Sequence, residues 1–134
     1  VAMQYSASVR NGALDAMETA AGTAPTLKIW TGTLPADCAA ADAAGTTLAT
    51  MTLPSDWLAA ASGGTKAISG TWQDASADAT GTATHFRIYQ GATCHFQGSV
   101  TATGGGGDMT LDNTSIASGQ QITITTFTLT AGGA

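Results

Sequence analysis

The sequence predicts a mainly β protein: an antiparallel β-sandwich, of jelly-roll or immunoglobulin-like type, with about seven strands and one N-terminal α-helix. Two observations predict this class. After Pro25, short segments of alternating apolar and polar residues are separated by Gly, Pro or Asp about every ten residues. Ala, Thr and Gly make up 68 of the 134 residues, and Thr is concentrated in those segments. The length is typical of one domain, so residues 1–134 are predicted to form a single sandwich domain.

One helix is predicted over residues 8–21. Ser6 or Ser8 can accept a hydrogen bond from an unpaired N–H at its start, and Gly22 can adopt the left-handed turn that ends it. Because the helix is short and rich in Ala, its stability must come from packing against the rest of the protein. Four residues recur at helical spacing and define the face expected to pack: Val9, Ala13, Met17 and Ala20.

Strands are predicted between residues 26 and 130, with a hairpin turn at residues 90–92. In the last strand the apolar parity changes between Ile124 and Phe127. Either both faces of that strand are buried, or a bulge near Thr125 and Thr126 shifts the register. The predicted strands are residues 27–30, 46–53, 65–72, 82–89, 93–101, 109–111 and 120–130.

The charge pattern excludes two classes of partner. Nine acidic residues face only four scattered basic ones, for a formal net charge of −5. No basic stripe exists to neutralise phosphates, so nucleic-acid binding is not expected. No segment reaches the roughly 18 apolar residues of a membrane-spanning helix, and charges in the first thirty residues leave no signal-peptide core. We therefore expect no membrane partner.

The two cysteines, Cys38 and Cys94, allow one intramolecular disulfide. In the chain-entropy model, closing that 57-residue loop would stabilise the protein by about 4 kcal/mol. The alternative is a pair of buried free thiols, and the sequence leaves both open. A zinc site that adds His85 and His95 is disfavoured, because Cys94 and His95 are adjacent in a strand and point to opposite faces.

No catalytic, cofactor-binding or metal-binding residues are predicted, and the protein is not expected to be an enzyme. His85 and His95 flank the hairpin on a face with Arg87 and Tyr89 that is expected to be polar and solvated. None of the common nucleophile, phosphate-binding or metalloprotease motifs occurs. Asp108 and Asp112 would lie about 13 Å apart in an extended segment, so turn capping by Asp and by Asn113 explains them better than calcium.

The three tryptophans, Trp30, Trp57 and Trp72, admit two interpretations. A flat exposed row of aromatic side chains would suit sugar stacking. In a protein with only 6% aromatic residues, at least two of them are more plausibly core residues. We expect Trp30 and Trp72 in the core and Trp57 at the edge of the sandwich.

Several segments, taken in order, resemble small structural proteins encoded by tailed bacteriophages and prophages. Each segment is individually a turn or strand pattern, and the specificity lies in the order, which covers nearly the whole chain. The resemblance implies a component of the virion and no catalytic residues. The segments are SVRN (residues 8–11), LDA (14–16), LKIWTGT (27–33), ADATGTA (77–83), FRIY (86–89), GDMTLDN (107–113) and Ser118-Gly119 before the last strand.

The first functional hypothesis is a capsid decoration, or cement, protein that stabilises the head by packing on the major capsid protein, as a homo-oligomer. It would be found in the virion after assembly in the bacterial cytoplasm. The alternatives are a tail, collar or fibre-associated component, with tail proteins as partners, and a carbohydrate-binding sandwich used in host adsorption. The candidate contact residues are Val1, Tyr5, Trp57, Gly104, Gly105, Gly106 and Gly107.

Overall fold

The computed structural model describes residues 2–134 and is mainly β, with 38% strand and 11% helix. The predicted class, a β protein rich in antiparallel pairs with one N-terminal helix, is confirmed. The three strands beyond the seven predicted (β4, β5 and β9) are each only two residues long. The described elements are α1 (Ala7–Ala21), β1 (Thr26–Trp30), β2 (Thr47–Thr52), β3 (Thr65–Ala67), β4 (Gln73–Asp74), β5 (Gly81–Thr82), β6 (His85–Gln90), β7 (Thr93–Ala102), β8 (Met109–Leu111), β9 (Ser115–Ile116) and β10 (Ile122–Thr130).

Eight strands form one sheet in the order β2-β1-β6-β7-β8-β10-β3, with β4 also paired to β10, and β5 and β9 form a separate ribbon. The sheet curls over itself. Phe86 of β6 and Phe127 of β10 are three strand steps apart, about 14 Å in a flat sheet, yet their ring centroids are 5.4 Å apart. The backbone N–H of Thr50 in β2 also donates to the carboxylate of Asp74 in β4. The two ends of the sheet therefore approach each other and enclose one core.

Aromatic side chains fill the centre of this core. Trp57 and Trp72 lie 5.8 Å apart, and Trp57 is 0% exposed. The expectation of at least two core tryptophans is confirmed, but the pair is Trp57 and Trp72. Trp30 is instead half-buried and stacks on His85. The placement of Trp57 at an edge is wrong because its indole N–H donates to the carbonyl of Gly22, which draws the ring under the end of α1.

Two local predictions about the strands are confirmed. The β6–β7 hairpin turns at Gly91 and Ala92, and Gly91 has the positive φ of 60° that favours glycine. In β10 the register against β8 shifts between Ile124 and Thr126, which is the predicted bulge. The bulge leaves Thr125 free to hydrogen-bond Thr110 across the sheet.

Helix α1 begins and ends as predicted but packs by the opposite face. Ser6 accepts a hydrogen bond from Val9 N–H at the start, and Gly22 caps the end with a φ of 83°. The buried residues of the helix are Leu14 and Ala21, and the face predicted to pack is exposed. The prediction failed because the side that carries Leu14 also brings Asp15 and Glu18 to Lys66 of β3, a charge that requires polar partners. No helix of the described chain has the length and apolar character needed to span a membrane.

The glycine run sits where β7 passes to β8, which are the only parallel pair among the described strands. Parallel neighbours normally need a connection of about a dozen residues or more, and here residues 103–108 suffice. Gly104 and Gly106 have φ near 80°. A Cβ on Gly105 or Gly107 would lie within 3 Å of Thr101 Oγ1. The run therefore allows the chain to reverse twice in six residues.

Candidate functional site

The inner face of α1 is held by a buried lysine. Lys66 of β3 is 2% exposed, and its ammonium Nζ lies 2.7 Å from carboxylate oxygens of both Asp15 and Glu18. Burial alone would lower the pKa of Lys66, but the hydrogen bonds to these two carboxylates outweigh it and raise that pKa. The same hydrogen bond from Lys66 lowers the pKa of Asp15. A buried charge needs such partners, so Glu18 and the largely exposed Asp15 pair with Lys66 from the helix side that also buries Leu14.

Residues 61–64, which precede β3, add further polar contacts to this face. The backbone N–H of Gly64 donates to the Asn11 side-chain oxygen at 2.8 Å. Arg10 donates to the carbonyl of Gly63 at 3.4 Å. These bonds satisfy backbone groups that no strand partner reaches, so α1 acts as a polar cover over the edge of the sheet.

The opposite side of α1 is the first candidate functional surface, called here the outer face. Val9 is 56% exposed and Met17 is 46% exposed. At its N-terminal end the outer face continues into a mostly apolar cleft bordered by Tyr5 and Ala131. No charged residue belongs to the outer face, which comprises Val9, Gly12, Ala13, Ala16, Met17 and Ala20.

The residues predicted to make contacts with other chains differ in their exposure to solvent. Tyr5 is exposed, and its backbone N–H donates to the carbonyl of Gly133, so the N-terminal arm is tied to the C-terminal segment. Gly104, Gly105 and Gly106 are exposed, whereas Gly107 is half-buried. The prediction that Trp57 contacts another chain is wrong, because its whole side chain lies in the core and offers no surface. Val1 lies outside the described residues.

The second candidate site is a polar cluster beneath residues 31–46, the loop that joins β1 to β2. Arg87 is 2% exposed. Its Nη1 donates to the carboxylate of Asp42, and its Nη2 donates to the carbonyls of Asp37, Cys38 and Ala40 at 3.0–3.2 Å. One guanidinium therefore binds four residues of the loop.

This loop overturns the expectation of a solvated face on β6. His85, Arg87 and Tyr89 are all buried, because residues 31–46 cover the side of β6 that faces away from the main core. His95 is exposed, as expected for a surface histidine of the hairpin.

The turn-capping roles expected of Asp112 and Asn113 are confirmed, since Asn113 accepts from the N–H of Ser115 and Asp112 accepts from the N–H of Asn113.

Burial and hydrogen bonding shift the pKa values of the side chains around Arg87. The hydrogen bond from Tyr89, followed by that from Arg87, lowers the pKa of Asp42 despite some burial. Burial and the hydrogen bond to Asp42 raise the pKa of Tyr89. Burial, followed by the charge of Arg87, lowers the pKa of His85. At neutral pH the cluster thus consists of a carboxylate, a guanidinium, a neutral phenol and a neutral imidazole.

The two cysteines meet at the edge of this cluster as free thiols. A register shift at Ile88 and Tyr89 places Cys94 opposite Tyr89. Its sulfur lies 2.8 Å from that of Cys38. Nowhere in residues 2–134 are three His, Cys, Asp or Glu side chains grouped as a metal site would require.

The comparisons with known proteins add no relative. No protein-family model, no curated protein and no solved structure matches the chain. The resemblance to structural proteins of tailed phages is therefore carried by the sequence segments alone.

Proposed function

We propose that this chain is a structural protein of tailed-phage particles, specifically a capsid decoration protein that binds the major capsid protein through the outer face of α1. The observation that carries the proposal is that α1 packs on its own sheet through Leu14, Ala21 and the ion pairs with Lys66, and leaves a second, uncharged side with Val9 and Met17 exposed. A surface helix of a globular protein normally turns charged and polar residues outward. The sequence resemblance supplies the class of particle, and the outer face supplies the contact.

The energetics of the outer face suit a protein partner. Fully burying a Val or Met side chain contributes about 1.5–3 kcal/mol, and about half of each remains exposed in Val9 and Met17. The chain as a whole carries a net charge of −5, which helps to keep it soluble before it binds. Because the outer face itself is uncharged, it can pack on a neutral capsid surface without an ionic partner.

The proposed architecture follows from where capsid subunits meet. Those positions are symmetric, so we propose that the chain binds there as a symmetric homo-oligomer. Each bound copy adds contacts that the bare shell lacks and stabilises the head by mass action. We also propose that the curled sheet is a two-layer sandwich of jelly-roll or immunoglobulin-like type. The protein would be assembled into particles in the bacterial cytoplasm and carried in the virion.

Copy number tests the role. Tailed particles would be purified from a host that carries the gene, and the ratio of this chain to the major capsid protein measured by quantitative mass spectrometry. A decoration protein is expected at a fixed ratio close to one per capsid subunit or per symmetric group of subunits. Only a handful of copies per particle would overturn the decoration role and favour a tail, collar or fibre component.

A charge variant tests the surface. Met17→Glu places an unpaired carboxylate in the contact, and we expect its binding to particles that lack the protein to weaken about tenfold or more, as in the loss of a buried anchor. Ser8→Glu adds the same charge on another side of the helix and serves as the matched control. Both variants should melt like the unmodified protein because both positions are exposed. Equal binding of the two variants would remove the outer face from the proposal.

No observation favours the carbohydrate-binding alternative. A sugar platform needs exposed aromatic rings, and Trp57 and Trp72 are both in the core.

A further inference from the structure

The reactive group that the proposed function does not use is the pair Cys38 and Cys94. The two residues are 56 positions apart in the sequence, and their sulfurs are 2.8 Å apart in the structure. Cys38 belongs to the 31–46 loop and Cys94 to β7. Both side chains are half-buried, and both line an open cleft beside Asp42 and Arg87. A small oxidant can therefore reach them.

Hydrogen bonds to the 31–46 loop hold the two sulfurs close together without a covalent link. Arg87 donates to the carbonyl of Cys38 itself and to those of Asp37 and Ala40 on either side of it. Gln97 of β7 donates to the carbonyl of Pro35 at 2.8 Å. The loop is thus fixed against β6 and β7 around the thiol of Cys38.

We propose that Cys38 and Cys94 are an oxidation site: they form an intramolecular disulfide that fastens the 31–46 loop to β7 when the protein meets a small-molecule disulfide such as oxidised glutathione. One cysteine thiolate attacks a glutathione sulfur, forms a mixed disulfide and releases one glutathione thiolate. The second cysteine thiolate attacks the protein sulfur of the mixed disulfide and releases the second glutathione. The two protein thiols lose two protons and two electrons, and oxidised glutathione gains the two electrons.

The disulfide has a physical consequence that free thiols lack. Linking residues 38 and 94 restricts the unfolded chain over a long loop, which stabilises the folded state. Thiols stay reduced in a glutathione-buffered cytosol and oxidise outside it. The loop is therefore fastened when the protein leaves a reducing cell, a property that does not depend on the particle to which it binds.

The test uses the purified full chain, first reduced and then incubated with oxidised glutathione. Burial and the hydrogen bond to Cys38 raise the pKa of Cys94 to about 12, so the reaction is run for hours at a pH of about 8.5. We expect the intact mass to fall by about 2 Da with no dimer, both thiols to disappear, and the Tm to rise by about 10 °C. The double variant Cys38→Ser/Cys94→Ser should show none of these changes.

Retained thiols, stable glutathione adducts on both cysteines, or a disulfide that leaves the Tm unchanged would each overturn the proposal. A second variant tests whether Arg87 holds Cys38 close to Cys94. Arg87→Lys keeps the positive charge but lacks the guanidinium fork that binds several carbonyls at once. We expect it to slow conversion of the mixed disulfide to the closed form by roughly tenfold, since the two sulfurs are held less closely. Unchanged closure in this variant would show that Arg87 does not position Cys38.

Discussion

Replacing Arg87 by Met is the sharpest test of what holds the 31–46 loop. The guanidinium makes one ion pair with Asp42 and three hydrogen bonds to loop carbonyls. Hydrogen bonds to charged groups contribute about 1.5–3 kcal/mol each. They are not additive here, because the freed carbonyls regain water when the loop opens, and Asp42 is already 39% exposed. We therefore expect a loss of about 3 kcal/mol, the lower end for breaking a buried ion pair.

The assay is urea unfolding under reducing conditions, followed by tryptophan fluorescence, since Trp57 and Trp72 report on the core. A loss of about 3 kcal/mol corresponds to a fall in Tm of roughly 10 °C for a chain of this size. Arg10→Met is the matched control, because Arg10 makes a single long hydrogen bond to Gly63, and its loss should be under about 1 kcal/mol. Amide hydrogen exchange in residues 37–42 should also accelerate in the Arg87 variant alone.

Equal stability of the two arginine variants would refute the role of Arg87 in holding the loop. A loss of stability in Arg87→Met with unchanged exchange in residues 37–42 would refute it as well, because the loop would then be held by contacts other than the guanidinium.

Two further predictions concern the glycine run and the buried histidine. Gly107→Ala places a Cβ within 3 Å of backbone and side-chain atoms of Thr101 and should lower the free energy of unfolding by about 1–3 kcal/mol. Gly12→Ala, on the open side of α1, should raise it by about 0.5–1 kcal/mol. Equal urea midpoints of the two variants would contradict this prediction. Burial lowers the pKa of His85 in the folded protein. The neutral His85 side chain therefore contributes fully to the free energy of unfolding above a pH of about 6.5, and this contribution is lost as the pH falls through the lowered pKa of the folded state. His85→Asn should flatten the dependence of stability on pH between about 7.5 and 5, the exposed-site variant His95→Asn should not, and parallel curves for His85→Asn and the unmodified protein would refute the assignment.

Much of the fold could be predicted from local patterns. The helix limits, the β6–β7 hairpin and the bulge at Thr125 follow from capping residues, a glycine turn and a change of apolar parity. Each of these features is decided by a few neighbouring residues. The two-residue strands β4 and β9 could not be predicted, because pairing of so short a segment depends on a partner that is distant in the sequence.

The candidate sites were harder to predict, because each depends on a contact between distant residues. The apolar spacing in α1 indicated one buried face, but the helix packs by Leu14 and Ala21 instead. On that side Asp15 and Glu18 pair with the buried Lys66. Nothing local marks Asp42 as the partner of Arg87, 45 positions away. The one available signal was the length of the β1–β2 loop, since a long segment without strand pattern often covers a neighbouring surface.

The sequence by itself determined the class of fold and the positions of its longer strands along the chain, because these depend on composition and on periodicity over ten or so residues. The tertiary structure alone decided which face of α1 is exposed, that Trp57 is a core residue, and that Cys38 meets Cys94. The physical reason is that buried charges must find partners wherever the chain offers them. That requirement outweighs the apolar pattern of one short helix, and it can be evaluated only when distant segments are placed together.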